Sequence, residues 1–339
     1  MGSAIAEPLC RGRLRVQPED FQVREQLGFA PGGGGEHLWL HLRKTGVNTM
    51  DLALALAKLA RLPVRTVGYS GLKDRHAVTE QWFSLHLPGK ADPDLSALPA
   101  GVELLETQRH SRKLNRGTHR SNAFRLVIRD LTGARDLLPA HLEKMRHDGV
   151  PNYFGEQRFG HADNNFHRGA AWLSGEGEAP RKSSLRGFWL SAVRSKLFNE
   201  VLAERQRLGL WNQLLAGDIL QPENSRGLFR EEDEPLAAQR LAAIDVHPTG
   251  PLPGAGGMAP SLACAELEQR VLAPYQLLID GLAREGVEAA RRATRLVVTD
   301  LDWQLDETSL TVSFSLPSGA FATTVLSTFL EWSEHVAGL

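Results

Sequence analysis

Apolar residues near the start of the chain recur with a period of two. Leu38, Leu40 and Leu42 alternate with Trp39 and His41, the pattern of a strand with one buried face. The alternation returns at Phe83, Leu85 and Leu87, at Phe124, Leu126 and Ile128, and at Leu310, Val312 and Phe314. Leu14 to Glu25 reads as extended, and Pro31 to Gly35 as a hairpin-like loop of four consecutive glycines. Leu52, Leu56 and Leu59 sit at helical spacing, with Asn48 as a cap and Pro63 as a stop. A second helix is predicted from Pro139 to His147, ended by Gly149. The middle of the chain differs. Leu190, Val193, Leu197, Val201 and Leu202 mark a long amphipathic helix that ends near Gly209. Helical stretches follow over Cys264 to Val271 and, past Pro274, to Glu285. His247 to Pro260, rich in Pro and Gly, reads as loop, and a final helix is predicted from about Ala322. Strands of antiparallel type packed with helices give an α+β class.

Composition sets bounds on this picture. A chain of 339 residues is long enough for two domains. Cys10 and Cys264 are the two cysteines. Neither belongs to a metal-ligand spacing, and no disulfide framework is expected, which suits a reducing cytoplasm. No apolar run reaches the length of about 18 residues that a membrane span needs, so no membrane span is expected. Met1 to Cys10 lacks a basic region followed by an apolar core, so no signal peptide is expected. His37 and His41 fall on a strand, where four residues span about 13 Å, too far for one metal. The glycine loop lacks the Gly-Lys-Ser/Thr ending of a phosphate-binding loop.

Net charge is −1, so the whole chain does not announce a nucleic-acid partner. Its distribution does more. Arg109, Arg112, Lys113, Arg116, Arg120 and Arg125 form a run with no acidic residue, and His110 and His119 lie among them. Such a cluster suits phosphate contact; its plain alternative is a solvated loop. Glu231 to Glu234 reads as an exposed acidic turn or helix start.

The run Gly68-Tyr69-Ser70-Gly71-Leu72-Lys73-Asp74-Arg75-His76-Ala77-Val78-Thr79-Glu80-Gln81 places one carboxylate, Asp74, in a polar turn between a helix and a strand. Flanked by Lys73 and Arg75, it is expected to carry its charge, and a positioned carboxylate can serve as nucleophile or base. The plain reading is a turn Asp that caps nearby backbone N–H groups.

Gly71-Leu72-Lys73-Asp74-Arg75-His76-Ala77-Val78-Thr79-Glu80-Gln81 resembles the signature of the TruD family of tRNA pseudouridine synthases. Further blocks resemble that family in the same order. They are Pro18-Glu19-Asp20-Phe21, Arg109-His110 through Gly117, Asn122-Ala123-Phe124, Pro151 through Gly160, and Leu316 through Thr323. The blocks run from residue 18 to residue 323, so the resemblance covers nearly the whole chain.

The resemblance implies a pseudouridine-synthase-type catalytic domain with a mixed, mainly antiparallel sheet, interrupted by a family-specific α/β insertion. The first catalytic part is placed at residues 1–148, the insertion at 149–297 and the C-terminal catalytic part at 298–339. The implied reaction cleaves the N1–C1′ bond of a uridine, expected at position 13 in the D arm of tRNA, and rejoins the base through C5. It needs no cofactor and no metal. Asp74 is implied as the nucleophile, with attack at C6 or at C1′ both open. Phe21, Asn122, Phe124 and Phe321 are implied to line the pocket for a base taken out of its stack. Asn122 has a donor and an acceptor for the uracil edge, and Phe124 a face for stacking. Three Phe residues beside strands are otherwise ordinary core. Arg15, just before Phe21, is the candidate basic partner of Asp74; otherwise it is an exposed strand residue. Asn152 to Gly160 reads as hinge and RNA-facing surface, or as aromatics buried at a domain junction.

The expected partner is tRNA, with no DNA and no membrane, and the expected state is a cytoplasmic monomer. Two rival readings stand beside this one. A non-catalytic RNA-binding or RNA-chaperone protein makes Asp74 structural. A nucleoside or glycoside hydrolase needs a second catalytic carboxylate, and no partner motif accompanies Asp74.

Overall fold

In a computed structural model, which describes residues 8–334, the alternating segments become strands of one ten-stranded sheet. The first stretch holds β1 (Cys10–Leu14), β2 (Phe21–Gln26), β3 (His37–Thr45), α1 (Thr49–Leu59), β4 (Gly68–Tyr69), β5 (Val78–His86), β6 (Val102–His110), β7 (Ser121–Gly133) and α2 (Leu138–Asp148). The Asn48 side chain accepts from the Asp51 N–H at 2.8 Å and so caps α1.

The middle holds β8 (Val150–Pro151), α3 (Asn164–Ser174), α4 (Ser183–Arg207), β9 (Ile219–Pro222), β10 (Phe229–Arg230), α5 (Ala237–Ala242), β11 (Val246–Leu252), α6 (Leu262–Leu272), α7 (Gln276–Arg284), β12 (Ala290–Ala293) and β13 (Arg295–Leu296). The chain then returns through β14 (Thr299–Leu305), β15 (Leu310–Pro317), α8 (Ala322–Leu326) and β16 (Leu330–Glu334).

The sheet runs β14-β15-β7-β2-β5-β3-β6, with β1 on β7 and β16, and β4 on β5. Two pairs are parallel, β2 with β5 and β1 with β16. The remaining pairs are antiparallel. The sheet is therefore mixed and mainly antiparallel, and the class is α+β. Register puts Leu40, Phe83, Val23, Phe124 and Phe314 on one face. Part of that face packs against Leu52 and Leu56 of α1.

Three local expectations are corrected. Pro31 to Gly35 does not turn a hairpin, because β5 lies between β2 and β3 in the sheet. The loop is instead fixed from outside. The Gly32 N–H donates to His110 Nδ1 at 2.9 Å. Gly35, at φ +118°, passes so close to the His110 carbonyl that a Cβ would lie 2.6 Å from its oxygen. His247 to Leu252 is not loop but most of β11, which pairs with β9 and then β12. Proline lacks a donor but keeps its carbonyl, and Pro248 uses it to accept from the Thr294 N–H at 2.9 Å. The final helix stops at Leu326, and Leu330–Glu334 forms a strand beside β1.

The described chain divides into two compact units. One holds 8–146, Val298–Ala322 and 329–334, with the ten-stranded sheet. The other holds His147–Val297 and Thr323–Thr328. Its core joins Leu173 of α3, Val193 and Leu197 of α4, and Leu278 and Leu282 of α7. It also has a four-stranded sheet in the order β10-β9-β11-β12. Residues 1–7 and 335–339, the outer ends of the first and third expected segments, lie outside the described residues. Among the described residues no helix is long and apolar enough to cross a membrane.

Candidate active site

Asp74 lies in the irregular loop between β4 and β5. Side chains from three elements hold that loop. Thr49, the first residue of α1, accepts from the Lys73 N–H at 2.9 Å through its hydroxyl. Gln81 of β5 donates to the Gly71 carbonyl at 2.5 Å. Lys44, fully buried at the end of β3, donates to the carbonyls of Val47 at 2.8 Å, Asp74 at 3.1 Å and Lys73 at 3.3 Å. Burial pushes the Lys44 amine down to about 8, against the partly compensating charge of Asp74. The loop backbone is thus set from below while the Asp74 side chain stays 54% exposed.

Arg15 Nη2 donates to Asp74 Oδ2 at 2.7 Å. Its Nη1 donates to Glu334 of β16 at 3.1 Å, and the guanidinium covers the Phe21 ring at 4.1 Å. Arg15 is left-handed, at φ +59°, a conformation that costs on the order of 1–3 kcal/mol outside glycine. It follows β1 and turns its side chain into the group formed by Asp74, Phe21 and Glu334.

The aromatic residues divide. Phe21 and Phe124 are buried, edge to face at 6.4 Å. Phe124 also meets Phe314 at 5.5 Å. Phe321, between β15 and α8, is 41% exposed. Among the described residues no ring or cation contact joins it to Phe21, Phe124 or Arg15.

Asn122 shares the Phe124 face of β7 and is buried. Its Nδ2 lies 3.2 Å from His119 Nε2, and its Oδ1 has no hydrogen-bond partner. His119 Nδ1 is 2.5 Å from the Ser70 hydroxyl and 3.7 Å from Glu25 Oε1. Glu25 in turn accepts from Lys73 Nζ at 2.8 Å and from the Trp82 N–H at 3.0 Å. One line of contacts thus runs from Asp74 through Arg15 and Phe21 to Phe124. A second runs from Lys73 through Glu25 and His119 to Asn122.

Sequence chemistry does not single out Lys44, Glu25 or His119. A signal exists for two of them. Lys44 continues the spacing of Leu38, Leu40 and Leu42, and Glu25 that of Phe21 and Val23, so each is a charge at a core position. In the basic run, Arg112, Arg116, Arg120 and Arg125 are exposed. Arg109 pairs with Asp92 at 2.5 Å, and Lys113 donates to the Arg65 carbonyl at 2.7 Å. In the other unit, Phe154 has Arg292 at 4.2 Å and Arg158 at 5.3 Å. Burial first, and Arg158 second, push Arg292 down to about 10. A cavity of about 340 Å³ in that unit, lined by His147, Asp148, Asn212 and Arg295 among others, contains none of the motif residues. Among the described residues no group of three or more His, Cys, Asp or Glu is placed to hold a metal.

The chain matches the family model described as tRNA pseudouridine synthase D (TruD) over residues 4–180 and 176–329. It is 45% identical over 336 residues to the tRNA pseudouridine synthase D of Methylococcus capsulatus, covering 98% of this chain and 94% of that protein. It is 46% identical over 325 residues to that of Azotobacter vinelandii, covering 95% and 92%. Its fold resembles a crystal structure assigned to tRNA pseudouridine synthase D from Methanosarcina mazei, with a TM-score of 0.79 and 21% identity over 97% of this chain and 95% of that one. Family-model match, near-complete alignment and overall fold similarity agree, and the chain belongs to the tRNA pseudouridine synthase D family.

Proposed function

We propose that this chain is an isomerase, a tRNA pseudouridine synthase that converts uridine 13 of the D arm. The observation that carries the reading is Asp74 itself. It is an accessible carboxylate held at 2.7 Å by Arg15, inside the family signature of a chain 45% identical to proteins named for this activity. Isomerisation breaks N1–C1′, forms C5–C1′, and moves a proton from C5 to N1 overall. Asp74 supplies the nucleophile, at C6 or C1′. Arg15 holds its geometry and balances its charge, and the fixed loop backbone keeps the carboxylate from wandering.

The flipped base is received by Phe21, Asn122, Phe124 and Phe321. Phe21 and Phe124 are already packed, which makes them the floor of the site. Phe321, the exposed ring, is the one free to close on the base. The unit holding 147–297 is read as the family's insertion. The two buried free thiols, Cys10 and Cys264, suit work in the cytoplasm, and the enzyme is read as a monomer.

Asp74→Asn tests the assignment. Turnover of bulk tRNA uridine to pseudouridine is expected to be lost, with folding and tRNA affinity nearly intact. A variant within about tenfold of the wild-type rate, a change of about 1.4 kcal/mol in the barrier, rules Asp74 out as nucleophile.

A further inference from the structure

The Asn122 carboxamide carries a buried, unpartnered acceptor in the sheet unit. Its side chain is buried, its Nδ2 faces His119 Nε2 at 3.2 Å, and its Oδ1 meets no donor. A buried acceptor without a partner costs about 1–3 kcal/mol, so its persistence suggests that a ligand completes it.

Which amide atom faces the histidine depends on the imidazole tautomer. Glu25 biases that tautomer. Its carboxylate is fully buried, is fixed by Lys73 and the Trp82 N–H, and lies 3.7 Å from His119 Nδ1. A carboxylate on that side favours the ring proton on Nδ1, 2.5 Å from the Ser70 hydroxyl, which already accepts from the His119 backbone N–H at 2.8 Å. Desolvation lowers the His119 pKa; Glu25 works against that shift and Lys73 adds to it, and the ring stays neutral. Nε2 then bears a lone pair. It accepts from Asn122 Nδ2, and the buried Oδ1 is left without a donor as a pure acceptor.

The geometry points to His119 as a specificity-determining residue that locks the Asn122 carboxamide with its oxygen free, so that Oδ1 accepts from N3–H of uracil and rejects the N3 lone pair of cytosine. The inference rests on the reading of this site as the pseudouridine-forming centre. Uracil presents a donor at N3 between two carbonyls; cytosine presents an acceptor there. A fixed acceptor therefore separates the two bases, whereas a freely rotating amide offers either end to either base. Polar sites built to match one edge discriminate strongly, because a mismatch leaves buried groups unpaired. His119 touches Asn122 and not the base, so it acts as a positioning residue.

Two measurements test this. Nitrogen NMR of 15N-histidine-labelled protein reads the His119 ring directly. A neutral ring protonated at Nδ1 is expected at neutral pH; a ring protonated at Nε2, or an imidazolium, overturns the inference. The second measurement follows tritium release from C5 under single-turnover conditions, using tRNA transcripts with either [5-3H]uridine or [5-3H]cytidine at the target position. In His119→Leu the uridine-to-cytidine rate ratio is expected to fall at least about tenfold. In His119→Gln, whose side-chain carbonyl can accept from Asn122 Nδ2, the ratio is expected to stay near the wild-type value. An unchanged ratio in His119→Leu with uridine turnover still measurable overturns the proposal, as does a collapsed ratio in His119→Gln. Should the Leu variant not fold, the Gln variant and the NMR tautomer decide. Wild-type protein that releases no tritium from the uridine transcript defeats the synthase reading instead, a result separate from any change in the ratio.

Discussion

Phe124 shows how one side chain can carry two energies. Its ring is buried against Phe21 and Phe314, so Phe124→Ala is expected to destabilise the fold by about 3–5 kcal/mol as a core truncation. Loss of base stacking, about 1–3 kcal/mol, would be hidden beneath that. Phe124→Leu separates the two, because it keeps most of the volume and removes the π face. A single-turnover rate at least about tenfold lower, with thermal stability nearly unchanged, is expected if the ring supports the base. Rate and stability falling together would make Phe124 core alone. At this scale the sequence is partly legible. Asp74, Arg15, Phe21, Asn122 and Phe124 can be named from motif and order. His119 cannot, and Lys44 shows only as a charge at a core position, because no motif points to their contacts with Lys73, Asp74 and Ser70. Only folding brings such pairs together.

Among the elements, β3 does something its periodicity does not announce. Its last core-facing residue, Lys44, grips three carbonyls of the loops around Asp74. Unfolded, this amine holds its proton up to about its ordinary 10.5; folded, only up to about 8. Between those values the unfolded chain binds more protons, so this group's contribution to stability rises with pH. Below about 8 it is a cost of about 3 kcal/mol at 1.36 kcal/mol per unit. Activity should run the other way. As pH passes about 8, the neutral amine has two N–H donors for three carbonyls and the loop loosens. The wild-type single-turnover rate is expected to fall there, and Lys44→Met is expected to show a lower rate without that descending limb. A limb of equal position in both proteins would assign it to another group.

The regular strands and helices are readable because burial on one face imposes a period: β3, β5, β7, β15, α1 and α4 follow it. Where position in the sheet overrides local preference the reading fails. β11 carries two prolines and still pairs on both edges. β16 becomes a strand only by meeting β1.

At the scale of the whole molecule, a net charge of −1 leaves RNA affinity to local clusters. Arg112 and Arg116 are exposed, whereas Lys113 already donates to a backbone carbonyl. Reversing Arg112, Lys113 and Arg116 to Glu should weaken tRNA binding and flatten the salt dependence by about 0.7–0.9 for each phosphate left unneutralised. Filter binding across a salt series reads this, and an unchanged slope would return the segment to a solvated loop.

The pairing of β1 with β16 has a consequence in time. Cys10 lies opposite Leu330, and Arg15 reaches Asp74 and Glu334 together. A ribosome that has translated through Asp74 has made the carboxylate but not the strand that seats its arginine. Some 260 further residues must emerge before Glu334 can dock, at about 5–20 residues per second. Such long-range closure is slow to form and late in order. Until Glu334 docks, the nascent chain therefore holds the Asp74 loop without the strand pairing that seats Arg15.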